Sequence, residues 1–360
     1  MITNTDTTTD RDTNTDTTTN TGTTTEETPG GGVRRLIVVV LGLTALVTVM
    51  LCAFALPSAK GAPHDVPVGV TGPQQVTRVM EQKLAGDAWD VRVYDGPEQL
   101  RSAIRDRDVA GGLAVTPGGI DVYTATAGGP SATGALTALG TQLAAQRHAE
   151  PTVHDLVPFT ADDPRGAGLT AALLPMIFGG IFPAVILGRV FPGHRGLRAR
   201  LAGVLAFAVV AGAAVAAFLQ YGTGTLDGDY VVTAAGLALG MAALASVVIG
   251  LQALFGGVGL GIGGAVMMLL GNPLSGLATG PHWLPAGWAL LGQLLPPGAS
   301  GSLLRANGFF DGTGAARPAL TLAVWVVAGI GLVVLADLRG RRRGAEDAVA
   351  APERAEAVTV

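Results

Sequence analysis

Gly259, Gly261 and Gly264 fall in the spacing GxGxxG, the pattern with which a glycine-rich turn cradles a dinucleotide pyrophosphate. That chemistry needs a strand before the glycines, a helix after them and an acid about 20 residues on. Here the flanks are unbroken apolar sequence, and no acid is near. The same stretch holds the pairs Gly257/Gly261 and Gly259/Gly263, the GxxxG spacing that lets membrane helices pack closely. No GxxxxGK segment followed by Ser or Thr occurs. The chain therefore cannot hold ATP phosphates by the P-loop mechanism, and ATP-driven work would need a separate polypeptide.

The other reactive residue types are as sparse. His64, His148, His154, His194 and His282 form no HExxH and no pair at metal-ligand spacing. No Ser sits in GxSxG, and Cys52, the one cysteine, lies in an apolar run where it reads as a small buried hydrophobe. A disulfide framework and a cysteine zinc site are thereby excluded. The reading is of a chain with no catalytic residues, no cofactor and no metal. A net charge of −4 gives no case for nucleic acid.

What surrounds these residues is unusually apolar. Hydrophobic residues make up 49% of the 360 and charged residues 14%, against about 25% charged in a soluble domain. From Tyr230 to Leu304 there is no Asp, Glu, Lys or Arg. A water-exposed surface of that length needs charge, so the expected solvent is a lipid bilayer.

Five blocks follow along the chain. Residues 1–33 are rich in Thr, Asp and Asn, with the heptapeptide at Thr3 repeated at Thr13 and Pro29 with Gly30 to Gly32 closing the block. With almost nothing apolar to bury, this tail is expected to be disordered. Residues 34–56 are the first span: Arg34 and Arg35, then the uncharged run Leu36 to Leu56, which as a helix reaches about 30 Å. Ala53-Phe54-Ala55 offers a signal-type cleavage site, but the run exceeds a signal core and a long tail precedes it, so an uncleaved anchor is expected.

Residues 57–165 read as an α/β domain. Strands are expected at Val66–Val70, Trp89–Tyr94, Gly112–Val115, Ile120–Thr126 and Val153–Phe159. Helices are expected at Gln74–Leu84, Glu98–Arg107 and Ser131–Ala149. Residues 166–338 read as five further spans, at Gly166–Gly188, Leu201–Tyr221, Val231–Leu251, Gly257–Leu270 and Ala319–Ala336. Residues 271–318 form a long Pro-rich outer connection, within which Pro285–Leu295 is too short to span and suits a re-entrant or interfacial helix. Residues 339–360 are a tail, basic at first and then polar and disordered.

The expected fold class is thus an α-helical integral membrane protein of six transmembrane helices, with an extracytoplasmic α/β domain between helices 1 and 2. Charge sets its orientation. Arg34 and Arg35, the acid-free loop Arg189 to Arg200, and Arg339 to Arg343 all fall on one side if there are six spans. Asp227, Asp229 and Asp311 fall on the other. Both termini are then cytoplasmic. The break between the fourth and fifth spans is expected near Gln252 to Gly257. No span contains an ionisable residue, which argues against a proton-coupled carrier. Pro175, Gly179, Gly180 and Pro183 are helix breakers in the second span, read either as ordinary kinking or as a hinge that opens the bundle.

Several segments carry a resemblance. Thr160-Ala161-Asp162-Asp163-Pro164-Arg165-Gly166 leads into the second span. Gly111 to Val115 and Tyr123 to Gly129 lie in the α/β domain, and Gly271 to Gly276 and Leu294 to Gly298 in the long connection. In these, and in the order of span, outer domain and five spans, residues 36–338 resemble the permease subunits of type-2 ABC exporters, most closely the phage-infection-protein-like branch. The resemblance implies a homodimer or paired permease with its substrate path between two bundles. It also implies a separate P-loop ATPase docking on a cytoplasmic loop, for which Arg189, His194, Arg195, Arg198 and Arg200 are the candidate residues. That loop is short for a coupling helix, and the Thr-rich tail stands where many such exporters have an amphipathic interfacial helix. The expected function is a permease subunit exporting an unidentified substrate across a bacterial cytoplasmic membrane. The alternative is a non-transporting membrane-anchored envelope protein or surface receptor acting through its outer domain.

Overall fold

The computed structural model describes residues 29–285 and 287–357. Residues 1–28, most of the tail expected to be disordered, lie outside the described residues. The chain divides into two compact units, one ending at Thr48 and the other beginning at Val49. Helix α1 runs Pro29–Lys60, so the glycines expected to close the tail are already helical. Within it, Gly32–Ala55 is long and apolar enough to cross a bilayer.

Residues 66–155 form a five-stranded mixed sheet of order β2-β1-β3-β4-β5. The strands are β1 (Val66–Thr71), β2 (Trp89–Val93), β3 (Gly111–Thr116), β4 (Gly119–Thr124) and β5 (Thr152–Asp155). Only the β3–β4 pair is antiparallel, joined by the turn at Pro117-Gly118. Three helices connect the others: α2 (Gln74–Leu84), α3 (Pro97–Arg105) and α4 (Pro130–Ala145). On one face Val66, Val68 and Val70 pack with Met80 of α2 and Leu136 of α4. On the other, Leu100 and Ile104 of α3 pack over Ala114 and Tyr123. Leu100 lies so close to the sheet that a Cβ on Gly69 would collide with its Cδ1, which is why glycine stands mid-strand there. The last strand is shorter than the alternation predicts, ending at Asp155.

The rest is helical, and four further helical runs are long and apolar enough to cross a membrane. The first, Ala167–Val190, is α5 (Ala167–Ala171) followed by α6 (Leu173–Val190). Pro175 lacks the N–H that would bond back across Ala171, and the interruption at Ala172 falls there. Next, α7 (Leu197–Ala217) ends in a π turn, Phe218–Gly222. The third run, Tyr230–Gly271, is 42 residues long and begins with α8 (Tyr230–Ala265). The last lies within α11 (Ala316–Ala357). The tail expected to be disordered continues this helix to Ala357, as its run of Ala, Glu and Arg, all strong helix formers, permits.

Inside α8 one residue is not helical: Gly256, at φ 62 and ψ −139. The chain folds back there, because Gly259 meets the Leu251 carbonyl and Gly263 meets Val248. The expected break between Gln252 and Gly257 is this residue. The bundle is knit by small residues, with Gly212 against Ala238 and Gly329 against Ser246. Its outer faces are apolar: Val209, Val210, Leu320 and Val327 are 63% to 70% exposed. Such a surface is stable against hydrocarbon and costly against water. The molecule is an α-helical membrane protein.

The long connection holds more structure than its composition suggests. After α9 (Trp288–Leu294) the chain reverses at Leu295 into α10 (Pro296–Phe309). Pro296 and Pro297 occupy the first helical turn, where a missing N–H costs nothing. α10 is buried along nearly its whole length, with Ser300 against Gly240 of α8 and Asn307 donating to the Val232 carbonyl at 3.1 Å. It carries Phe310 into the core beneath α3.

Candidate functional site

The two ends of α6 define two different surfaces. At its start, the Asp163 carboxylate accepts from the backbone N–H of Ala167 at 2.9 Å and of Gly168 at 2.8 Å. The Thr160–Gly166 segment is thus a capped turn that fixes how the sheet domain enters the bundle. Beside it, a cavity of about 530 Å³ is lined by Arg105, Asp106, Phe159, Asp227, Phe309 and Asp311 among others. The acidic loops at Asp227 and Asp311 therefore lie at the same end as the α/β domain.

At the other end of α6, the loop Arg189 to Arg200 meets the end of the last span. Arg195 and Arg198 are exposed and share a hollow of about 330 Å³ with Asp337 and Arg341. Arg341 donates through Nε and Nη2 to one Asp337 oxygen, at 3.0 and 2.9 Å. The fold-back at Gly256 opens on the same end, in a hollow of about 410 Å³ with Arg200, Gln252 and Arg339.

The five loop residues do not share one role. Arg200 is only 7% exposed, donating from Nε to the Phe191 carbonyl at 2.6 Å and from Nη2 to Gly193 at 3.3 Å. It clamps the loop and is not free to meet a partner. Arg189, Arg195 and Arg198 are exposed. His194 opens a 3-10 turn, and its side chain lies outside the described residues.

The four helix breakers are also separated by their surroundings. Gly179 and Gly180 lie where α6 packs closely on α8: a Cβ on Gly180 would collide with the Leu244 Cβ. Pro183 is buried, and α6 continues through it. Pro175, in the first turn of α6, is exposed. Close packing accounts for the two glycines.

The GxGxxG glycines stand on the helical limb after Gly256, with no strand before them. Gly261 and Gly264 face open space while Gly259 and Gly263 pack back on the first limb. Among the described residues no group of three or more His, Cys, Asp or Glu is placed to hold a metal. His154 stacks on Tyr123, ring centroids 5.1 Å apart, with Nε2 3.3 Å from Asp121.

One residue escapes a reading by segments. Arg305 follows directly on the charge-free stretch and is 2% exposed inside α10. Its Nη2 donates to the Leu277 carbonyl at 2.7 Å, and its Nε is buried with no hydrogen-bond partner among the described residues. Burial pushes the pKa of its guanidinium down to about 10, and the charge of Arg107 adds to that. The available signal was a lone cation between Tyr230 and Arg317. No family model matches this chain, and no curated protein or solved structure matches it.

Proposed function

We propose that this chain is the permease subunit of an ABC-type exporter in a bacterial cytoplasmic membrane, driven by a separate P-loop ATPase and working as a homodimer or paired permease. The observation that carries the reading is the polarity of α6. The α/β domain and the acidic loops lie at its start, and the exposed Arg195–Arg198–Arg341 cluster lies at its end. Cation-rich ends of spans face the cytoplasm. Counting Tyr230–Phe255 and Gly257–Gly271 as two limbs makes six passes, which puts Arg34 and Arg35 on the same side as that cluster. Both termini are then cytoplasmic and the α/β domain is outside. The absence of a P-loop in the sequence makes the ATPase a separate polypeptide, and an exposed arginine hollow suits an acidic surface on it.

The test is affinity purification of the full chain from detergent-solubilised membranes, followed by mass spectrometry and ATP hydrolysis. A P-loop ATPase is expected to co-purify, and the paired change Arg195→Glu with Arg198→Glu is expected to cut its recovery at least tenfold. Lys at both positions should keep it. Recovery of envelope proteins with no ATPase and no hydrolysis would overturn the exporter reading in favour of an envelope protein or surface receptor.

A further inference from the structure

The hollow of about 410 Å³ at the Gly256 fold-back has four walls. They are the end of α6 at Gly188, the start of α7 at Arg200, the turn from Gln252 to Gly257, and α11 at Arg339. No Asp or Glu lines it. The carboxylate closest in sequence, Asp337, already accepts two hydrogen bonds from Arg341.

Three of the lining side chains are polar, and each keeps a donor for the space they enclose. Arg200 is 7% exposed and uses Nε and Nη2 on the carbonyls of Phe191 and Gly193. Its Nη1 makes no bond among the described residues. The group is withdrawn from any protein surface, but a small ligand inside the hollow reaches it. Arg339 is exposed and takes part in none of the ion pairs among the described residues. Gln252 is pressed against α6, since a Cβ on Gly188 would stand 2.8 Å from either end of its amide. Its Oε1 is buried with no partner. The polar atom it leaves to the hollow is therefore Nε2, a third donor.

Two guanidiniums and an amide donor around a space without an acid lack one thing, an anion. The lack is sharpest at Arg200, because a cation so deeply buried is costly until a counter-charge meets it.

The rim shows what kind of anion fits. Val190, Phe255 and Val258 stand within two residues of the lining and are 58% to 69% exposed. In a bilayer, acyl chains cover such side chains. A basic hollow between the ends of membrane helices, with hydrocarbon-facing residues at its edge, matches a phosphate that carries acyl chains. The headgroup must also be net anionic, since an ammonium or choline on the same phosphate would face two guanidiniums.

We propose that this hollow binds the phosphate of an anionic phospholipid, with Arg200 and Arg339 paired to its oxygens and Gln252 donating to it. The bound lipid ties α6, α7 and α11 to the fold-back at Gly256. The site needs only the bilayer and no ATPase, so it stands or falls apart from the exporter reading.

The experiment uses the full chain, stripped of lipid by extended washing in a neutral maltoside detergent. Its thermal midpoint is followed at fixed ionic strength as phosphatidylglycerol or phosphatidylcholine is added to the micelles. A third arm replaces chloride with sodium phosphate. Phosphatidylglycerol is expected to raise the midpoint saturably, and the other two probes are expected to leave it in place. Arg339→Gln, which breaks no bond within the described residues, is expected to weaken half-saturation by about tenfold or more, as loss of a charge-assisted hydrogen bond does. Arg342→Gln removes the same charge from an exposed position at the same end and should leave half-saturation unchanged.

Arg200→Gln also unclamps the loop, so Gln252→Leu is the second variant. It removes a buried oxygen that has no partner, and is expected to raise the midpoint without lipid while weakening the response to phosphatidylglycerol. A side chain with a purely structural role would not move the two in opposite directions. No response of the parent chain to phosphatidylglycerol would overturn the proposal, as would an equal response to phosphatidylcholine or to phosphate alone. Equal losses in Arg339→Gln and Arg342→Gln would also overturn it, by reducing the effect to the overall charge of that end.

Discussion

The Arg107 guanidinium, carried by the α/β domain, stands 4.9 Å from the centroid of the Phe310 ring, which ends α10. The same guanidinium bonds to the Thr313 carbonyl just beyond. α10 in turn is buried against α8. One aromatic ring and one cation thereby tie the sheet domain to a helix inside the bundle. The geometry makes the contact a joint between the two parts.

Removing the ring should uncouple that joint. Phe310 is 5% exposed and shares a core with Leu100, Ile104 and Tyr123. Phe310→Ala is expected to cost about 3–5 kcal/mol, the range for emptying a buried aromatic site. Phe310→Leu, which keeps most of the volume, should cost clearly less. Thermal unfolding measures both, and limited proteolysis of the Leu156–Gly166 linker should quicken in the Ala variant.

Gly256 and Gly257 are neighbours with opposite expectations. At φ 62 and ψ −139, Gly256 occupies a region that side chains rarely enter, so Gly256→Ala should lose roughly 1–3 kcal/mol. A methyl group added at Gly257 would meet nothing within 4 Å, and Gly257→Ala should be neutral or mildly stabilising. Equal midpoints for the two variants would contradict the fold-back at Gly256.

Gly180→Ala tests the contact between α6 and α8. The added methyl runs into the Leu244 Cβ, so overpacking of about 1–3 kcal/mol is expected. Gly261→Ala, facing open space, is the control and should show no such loss. If both variants unfold at the parent temperature, the two helices do not touch at this point.

His282 should make the joint acid-sensitive. Burial lowers its pKa from the usual value near 6.5, while the backbone contact with His64 and the charge of Asp65 oppose that. Arg107 lines the cavity on one side of it and Arg317 the hollow on the other. Because the folded pKa is the lower one, the unfolded chain takes up the proton first. Stability is therefore full above about pH 6.5 and falls as the pH drops through that value. The thermal midpoint should decline between about pH 7.5 and 5.5. His282→Gln should flatten the decline, and an unchanged slope in that variant would exclude His282 as its source.

The sequence alone determined the solvent and the local periods. Uncharged runs long enough to cross hydrocarbon announced helices that need lipid, because a bilayer imposes its thickness on each span independently of the others. The alternation from Trp89 to Tyr94 announced a half-buried strand, and a break was expected near Gln252 to Gly257, because both are properties of a few adjacent residues. α10 was hidden, since Gly298, Ala299, Ser300 and Gly301 leave no apolar stripe to read. The meeting of Arg107 with Thr313, and of Phe310 with Leu100, joins residues about 200 positions apart. Only the tertiary structure decided those, because a contact across that separation is set by how whole elements pack, and no local pattern encodes it.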